Sequence, residues 1–138
     1  PAHDRWQRPV FDAFFDTGIA TGGALTVRDA VTDEVIGSSR YYAWKPAERH
    51  MSIGATYLAR RCWGGAYNRE LKRLMLQHAF TLVDLVWFHI GVKNVRSRLA
   101  IAALGGRFSH EVDDDPSFNG QPTAYYHIER RSWLDRPA

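Results

Sequence analysis

Residues 51–83 read MSIGATYLARRCWGGAYNRELKRLMLQHAFTLV. The stretch begins as a predicted strand, passes through a loop with Arg60, Arg61 and the pair Gly64 and Gly65, and becomes the longest amphipathic helix of the sequence. Backbone NH groups in the first turn of a helix have no intrahelical partner and lie at the positive end of the helix dipole. Glycines let a ligand approach the backbone closely, and arginines donate to phosphate oxygens. The stretch therefore predicts an anion-binding loop.

The loop does not match the common phosphate-binding motifs. Both GxxxxGK[ST] and GxGxxG are absent, and what remains is Arg61, Gly64 and Ala66 in the spacing R-x-x-G-x-A. That spacing alone is also typical of a tight turn with solvated arginines. The elements around the loop must therefore decide between the two interpretations.

Composition indicates a single globular domain. The 138 residues are 45% hydrophobic and 24% charged, with a net charge of +3 and no run of five or six basic residues. The lone Cys62 excludes an intrachain disulfide and a multi-cysteine zinc site, and we expect no metal. No stretch has the roughly eighteen apolar residues of a membrane span, and the N-terminus lacks the apolar region of a signal peptide. We therefore expect a cytoplasmic protein with no membrane partner.

Upstream of residue 51, the sequence predicts a helix and two strands. The helix begins at Pro9 and ends at Gly18. Ala24–Asp29 and Val35–Tyr42 are strand-like and form an antiparallel pair. Within the strand over residues 51–58, Gly54 indicates a bulge or a close approach of a ligand.

Downstream, strands and a second helix alternate. Leu85–Ile90 is nearly continuously apolar, as in a central strand covered on both faces, and a strand–helix–strand crossover makes it parallel to the strand over residues 51–58. Asn94 is placed as the N-cap of a helix that stops at Gly105. The remaining strands are predicted at Arg107–Val112 and Thr123–Arg130. The order predicts a mixed sheet flanked by helices, which is an α+β fold.

Two motifs at this separation resemble the GNAT superfamily of acyl-CoA-dependent N-acetyltransferases, within it the branch of ribosomal-protein N-terminal acetyltransferases (RimJ/RimL type). The first is SIGATYLARRCWGGAYN with the helix start NRELKRLMLQHAF, and the second is KNVRSRLAIAALGGRF. The match runs from Ala24 to about Trp133. It implies one GNAT domain over residues 1–138 with a mostly antiparallel α+β (α/β) sheet and a central, splayed parallel strand pair. Members of this branch usually carry a further strand and helix before the segment that begins at Pro1, so the chain is either N-terminally truncated or unusually open at its acceptor site.

The resemblance implies that acetyl-CoA lies in a V-shaped opening between the strands that begin at Met51 and Leu85. Its pyrophosphate would contact the loop and its pantetheine arm would pair with strand backbone, because splayed strands expose unpaired backbone groups. Asn94 would hydrogen-bond the arm. The cofactor-binding residues that the resemblance implies are Tyr57, Leu58, Ala59, Arg60, Arg61, Cys62, Trp63, Gly64, Gly65, Ala66, Asn94, Ser97 and Arg98.

The implied reaction is acetyl transfer to a primary amine, either a protein N-terminus or a small amine, by direct attack in a ternary complex. Ser97 matches the serine that protonates the departing thiolate, and Ile101 stands where many members carry a tyrosine acid. The family's usual glutamate base is replaced by Ser52. The sequence therefore predicts as the base either His50, because imidazole is a common general base, or Glu48 acting through water.

Other hypotheses remain open. One is a CoA-binding domain without catalysis, favoured by the replaced glutamate. Another is a basic nucleic-acid-binding module, which the dispersed charge makes the weakest; its contacts would be Arg60, Arg61, Arg69, Lys72 and Arg73. A homodimer is a further expectation for the transferase.

Several polar residues outside the motifs are interpreted as structural. His89 lies within the apolar run and is interpreted as a satisfied core histidine. Asp113, Asp114 and Asp115 are interpreted as a solvated loop, with attraction of a cationic acceptor as the alternative. Tyr42 and its aromatic neighbours are core or rim residues that could instead line an acceptor pocket.

Overall fold

The computed structural model describes residues 6–137, within which the chain forms six strands and four helices. The strands are β1 (Ala24–Arg28), β2 (Val35–Lys45), β3 (His50–Leu58), β4 (Leu85–Gly91), β5 (Arg107–Asp115) and β6 (Gln121–Glu129). The helices are α1 (Arg8–Thr21), α2 (Ala66–Ala79), α3 (Val95–Ala103) and α4 (Arg130–Leu134). None of the helices in this described part is long and apolar enough to cross a membrane.

The strands form one mixed sheet in the order β1-β2-β3-β4-β6-β5. Every neighbouring pair is antiparallel except β3 and β4, which are parallel as predicted. These two strands pair over three positions, ending at Ser52↔Trp87, and then separate. We call the opening between residues 53–58 and 88–91 the fork. The predicted α+β sheet with a splayed parallel pair is confirmed.

A bulge in β3 lies beside the fork. Between the pairs Ser38↔Tyr57 and Arg40↔Gly54, one residue of β2 faces two residues of β3. The bulge includes Ala55, whose φ of 49° is uncommon for a residue other than glycine. Bulges bend the strand that carries the extra residue, and this one lies just beyond the point where β3 stops pairing with β4. The predicted irregularity at Gly54 is therefore confirmed to within one residue.

The hydrophobic core lies on one face of the sheet, beneath α2 and α3. Its helical members are Met75, Leu76, Ala79 and Ile101. Its strand members include Met51, Ile53, Val86, Phe88, Ile90, Ala124 and Ile128. We call this side the core face. Arg40, Tyr42, Ser52, Trp87 and His89 alternate with residues directed to the core face, so they belong to the opposite face of the sheet.

The expectation that β4 is covered on both faces is wrong. Val86, Phe88 and Ile90 are buried, whereas Trp87 and His89 between them are only partly buried. Helices cover the core face at this strand, while the side chains on the opposite face cover one another. The apolar composition of the run therefore reflects two different environments.

The predicted end of α1 at Gly18 is also wrong, because the helix continues to Thr21 and is capped by Gly22 with φ 69°. Gly18 is buried against the Arg40 side chain, and a Cβ atom at position 18 would lie 2.8 Å from the Arg40 Nη2 atom. Arg40 donates to the Phe14 carbonyl at 2.5 Å. The glycine therefore permits close packing of α1 on β2 and does not terminate the helix.

The nucleic-acid hypothesis requires Lys72 to lie at the surface, and this expectation is wrong. Lys72 faces the core side of α2 between Leu71 and Met75, only 5% exposed, and its ammonium group donates to the Thr56 hydroxyl. Thr56 in turn contacts Ser39 at 2.7 Å between hydroxyl oxygens. Lys72 thus supports the bulge and is withdrawn from any surface that could bind phosphates.

The C-terminal strands are longer than predicted at their connecting loop. β5 continues to Asp115 and β6 begins at Gln121. The sequence did not predict α4, which begins at Arg130 and brings Trp133 to 6.3 Å from Phe80 between ring centroids.

Candidate active site

The fork leads from a closed end at Ser52 to the loop before α2. Leu58 lies six positions beyond Ser52, which is about 20 Å of strand at about 3.3 Å per residue. Beyond Leu58, the chain makes a short turn over Arg60–Cys62 and enters α2 after Gly65. The fork therefore joins a strand cleft to a helix N-terminus.

The start of α2 has the features predicted for an anion site. No side chain within residues 6–137 caps this end of the helix at Gly65, so the first-turn NH groups are available to a ligand. Gly64 has φ 69°, and a Cβ atom there would meet nothing within 4 Å. The backbone conformation, and not a lack of space, therefore selects glycine at this position.

The side chains of the loop have structural contacts of their own. Arg61 forms an ion pair with Glu34 of the β1–β2 turn, at 2.7 Å between Nη2 and Oε2. Cys62 is 1% exposed and packs with Ile36 and Leu58, so its backbone and not its thiol is available to a ligand.

Trp63 connects the loop to the other side of the fork. Its indole Nε1 donates to the Leu58 carbonyl at 2.8 Å. The guanidinium carbons of Arg60 and of Arg96 in α3 lie 5.6 and 4.7 Å from the Trp63 ring centre. Both contacts are within cation–π range, and the one from Arg96 holds α3 close to the loop.

Asn94 and Ser97 lie at the N-terminus of α3. The predicted N-cap is confirmed, because the Asn94 Oδ1 atom accepts from the Ser97 NH at 3.3 Å. Arg98 is turned toward the sheet, where it donates to the Tyr126 hydroxyl at 3.0 Å and to the Val92 carbonyl at 2.9 Å. Its guanidinium anchors α3, and its predicted contact with the cofactor stays a prediction.

His89 lies next to the closed end of the fork, although the sequence analysis assigned it no role in the site. Its Nε2 atom is 3.2 Å from the Ser52 hydroxyl, and its Nδ1 atom is buried with no hydrogen-bond partner among the described residues. The ring packs against Tyr42 and Tyr125, with centroid distances of 5.5 and 4.4 Å. Burial lowers the pKa of His89 below its ordinary value of 6.5, with His110 acting in the same direction and Asp115 against it. The interpretation as a satisfied core histidine is wrong.

A sequence signal for His89 was present but weak. In the run over residues 86–90, the bulky apolar residues Val86, Phe88 and Ile90 alternate with Trp87 and His89. Alternation of this kind places Trp87 and His89 on one face of a strand. The run's overall apolar character masked that difference.

Asp115 is buried, contrary to its interpretation as part of a solvated loop. It is 3% exposed and accepts hydrogen bonds from the Ser117 NH at 2.9 Å and from the Tyr125 hydroxyl. Burial raises the pKa of Asp115, but the bonds from Ser117 and Tyr125 outweigh it and leave the pKa lowered. Burial also raises the pKa of Tyr42, with Tyr125 and Asp115 adding to the effect. Asp115 is therefore an ionised carboxylate that holds Tyr125 beside His89.

The predicted base candidates His50 and Glu48 form a pair outside the fork. Their Nε2 and Oε2 atoms are 2.7 Å apart. His50 pairs with Leu85 at the first position of the β3–β4 ladder, two residues before Ser52 and about 7 Å farther from the opening. The structure therefore brings Ser52 together with His89, and not with His50.

Other cavities and clusters do not point to a second site. Surface depressions of about 400 and 260 Å³ lie near Trp133 and along α3 at Leu99. Within residues 6–137, no group of three or more histidine, cysteine, aspartate or glutamate side chains could hold a metal ion.

Comparisons with known proteins agree with this fold. A family model described as an acetyltransferase (GNAT) domain matches residues 3–107. A GCN5-related N-acetyltransferase from Brucella melitensis superposes with a TM-score of 0.80 at 19% identity, covering 93% of this chain and 61% of that one. A chimera of the Vibrio cholerae spermidine N-acetyltransferase SpeG with hSSAT gives a TM-score of 0.78 at 17% identity, over 97% of this chain and 84% of the chimera.

The dodecameric spermidine N-acetyltransferase from Vibrio cholerae gives a TM-score of 0.73 at 18% identity, over 93% of this chain and 77% of that one. At these identities, the structural likeness shows the fold alone. This chain spans less than two thirds of the length of the Brucella melitensis protein. A search of curated protein sequences gave no match.

Proposed function

This chain belongs to the GNAT acetyltransferase family, and we propose that it binds acetyl-CoA in the fork and transfers the acetyl group to a primary amine. The observation that carries the proposal is the fork itself. β3 and β4 stop pairing after Ser52↔Trp87, and β3 then leads directly to the uncapped N-terminus of α2. A phosphate-bearing ligand with an extended amide arm fits this combination of a helix N-terminus and exposed strand backbone.

The loop from Arg60 to Ala66 would hold the diphosphate. Gly64 provides the left-handed backbone conformation, and the first NH groups of α2 provide donors. The strand over residues 53–58 is about 20 Å long, which allows an arm bound at the loop to reach the closed end. When bound, acetyl-CoA supplies an activated thioester at that end. In the free protein, the Leu58 carbonyl is occupied by Trp63, so the arm must use neighbouring backbone or displace the indole.

Two groups at the N-terminus of α3 would face the same ligand. Asn94 would use the part of its carboxamide that does not cap the helix to bind the arm. We keep Ser97 as the donor of a proton to the leaving thiolate, because its hydroxyl has no hydrogen-bond partner within residues 6–137. The predicted base candidates, His50 and Glu48, form an ion pair that lies outside the fork.

The acceptor amine would approach from the face of the sheet opposite the core face. α2 and α3 fill the core face with Met75, Leu76 and Ile101. The other face offers partly exposed aromatic side chains, among them Trp87 and Tyr125. We propose a protein N-terminus, as in the RimJ/RimL branch, or a small amine, for which the fold shared with spermidine N-acetyltransferases is a reason to include polyamines.

The test is amine-dependent release of CoA thiol from acetyl-CoA. The panel should contain spermidine, a lysine-free peptide with a free N-terminal alanine, and the same peptide already acetylated at its N-terminus as the control. We expect thiol release with at least one free amine, none with the blocked peptide, and a product that carries one acetyl group by mass spectrometry. Binding of acetyl-CoA without transfer to any free amine would instead support the non-catalytic hypothesis.

A further inference from the structure

We propose that His89 is the proton acceptor of the acetyl transfer, in the place that the sequence analysis assigned to His50 or Glu48. This inference rests on the proposed function, because it assigns a role within that reaction. It is carried by the position of the imidazole at the closed end of the fork and by its contact with Ser52.

The first step is the position of His89 along β4. Ser52↔Trp87 is the last paired position of the two parallel strands. His89 is two residues farther along β4, so it is the first side chain of that strand beyond the pairing on the face opposite the core. Its Nε2 atom reaches back to the Ser52 hydroxyl at 3.2 Å. The imidazole therefore borders the point where the thioester of a bound arm would stop.

The second step is the direction from which the amine arrives. The core face at the fork is filled by buried side chains of α2 and α3, so an amine reaches the thioester only from the other face. On that face, Ser52 and His89 meet at the closed end, with the phenol rings of Tyr42 and Tyr125 beside them. Ser52 is 2% exposed, whereas His89 is partly exposed and carries the group that can accept a proton.

The third step is the state of the imidazole in the free protein. Its Nδ1 atom is buried without a partner among the described residues, so the nitrogen that can accept a proton at the closed end is Nε2, which contacts the Ser52 hydroxyl at 3.2 Å. His89 is faced by Tyr42 from β2, Tyr125 from β6, Asp115 at the end of β5 and, electrostatically, His110 from β5. Burial lowers the pKa of His89, so the ring is neutral near pH 7 and able to accept a proton.

The chemical step balances with these residues. The bond that forms joins the amine nitrogen to the thioester carbonyl carbon, and the bond that breaks is the carbon–sulfur bond of the same thioester. His89 takes the surplus proton of the attacking nitrogen and releases it to water. Ser97 gives its hydroxyl proton to the departing thiolate and recovers one from water. Tyr125 and Asp115 act as positioning residues, because they hold the ring and do not touch the reacting atoms.

The test compares pH profiles of kcat/KM for wild type, His89→Gln, His50→Gln and His127→Gln, with acetyl-CoA and the panel amine that is turned over fastest. His127 is the matched control: it lies on the same face, its Nδ1 atom is also buried without a partner among the described residues, and it packs on Trp87 at 5.2 Å between ring centroids. We expect His89→Gln to lower kcat/KM about a hundredfold or more and to remove the acidic limb of the profile. The affinity of His89→Gln for acetyl-CoA should stay within about twofold of wild type. The control His127→Gln should keep both the wild-type kcat/KM and the acidic limb of its pH profile.

A second measurement does not depend on whether the variant folds. In wild type, the NMR titration midpoint of the His89 ring should lie below 6.5 and coincide with the midpoint of the acidic limb. The proposal would be overturned if His89→Gln kept the wild-type kcat/KM and the acidic limb of the pH profile. It would also be overturned if only His50→Gln removed that limb. If wild type transfers acetyl to no amine, the proposed function fails and takes this role with it; an active wild type with an unaffected variant refutes only the role of His89.

Discussion

At the scale of single residues, Asn94 has two functions that substitutions can separate. Its side-chain oxygen caps α3, and the rest of its carboxamide is proposed to bind the cofactor arm. Serine at a helix N-cap keeps the cap but not the reach of a carboxamide, whereas alanine keeps neither.

We therefore predict that Asn94→Ala lowers the free energy of unfolding by about 1 kcal/mol, while Asn94→Ser changes it by less than about 0.5 kcal/mol. Both variants should weaken acetyl-CoA binding. Urea denaturation and calorimetric titration measure the two effects on the same samples. Normal binding by Asn94→Ser would show that Asn94 is a cap and nothing more.

The role of a single residue could be predicted from the sequence only when its contacts come from residues close to it in the chain. The cap at Asn94 was predictable because it involves only the next three residues. The role of His89 was not, because it depends on Ser52, Tyr42 and Tyr125 from three other strands. Asp115 was misjudged for the same reason, since its burial follows from Tyr125 in the neighbouring strand.

At the scale of elements, the β3 bulge and α2 form one unit joined by Lys72. The Lys72 ammonium group donates to Thr56 in the bulge, and no carboxylate partner for it is found within residues 6–137. Burial lowers the pKa of Lys72 to about 8. An unpaired, buried cation destabilises the fold unless its hydrogen bonds compensate.

We predict that Lys72→Met is more stable than wild type at pH 7 by about 1 to 3 kcal/mol. Below pH 8, the lysine is protonated in both folded and unfolded chains and the full cost of burial is present. Between pH 8 and about 10.4, the unfolded chain holds more protons, so wild type recovers stability as the pH rises. The advantage of Lys72→Met should therefore shrink by pH 10.

Urea denaturation at pH 7, 8.5 and 10 measures this difference, with Lys45→Met as the control because Lys45 is exposed. If the difference in unfolding free energy between Lys45→Met and wild type is the same at all three pH values, the pH dependence seen with Lys72→Met is due to burial of the lysine. If Lys72→Met is instead less stable at pH 7, the bond to Thr56 outweighs desolvation, and the lysine stabilises the bulge.

The sequence predicted where most helices and strands lie, but it was a poorer guide to which of their residues face the core. Periodicity and capping located most helices and strands. Gly18 was misread because glycine serves both as a helix stop and as a site of close packing, and only the position of Arg40 decides between them. Lys72 was misplaced because a buried lysine contradicts the general preference of charge for the surface.

At the scale of the whole molecule, the fork could be predicted because it follows from general rules. A strand–helix–strand crossover makes β3 and β4 parallel, and the motifs around residues 61–66 and 94–98 lie at its two sides. The cluster of Tyr42, Trp87, His89 and Tyr125 on the face opposite the core could not be predicted, because it depends on which strands become neighbours in a sheet whose order differs from the order of the sequence.

The central claim, that the fork and its loop hold acetyl-CoA, is tested most directly by calorimetric titration of wild type, Gly64→Ala and Gly105→Ala. Both glycines have positive φ, 69° and 96°, and open space around a Cβ atom, so alanine strains the backbone at either position, and at least as much at Gly105, whose φ lies farther from the left-handed region open to other residues. Only Gly64 lies in the loop. We predict that wild type binds, that Gly64→Ala weakens binding at least tenfold, which is about 1.4 kcal/mol, and that Gly105→Ala stays within about twofold. A folded wild type that does not bind acetyl-CoA, or equal losses in both variants, would contradict the account.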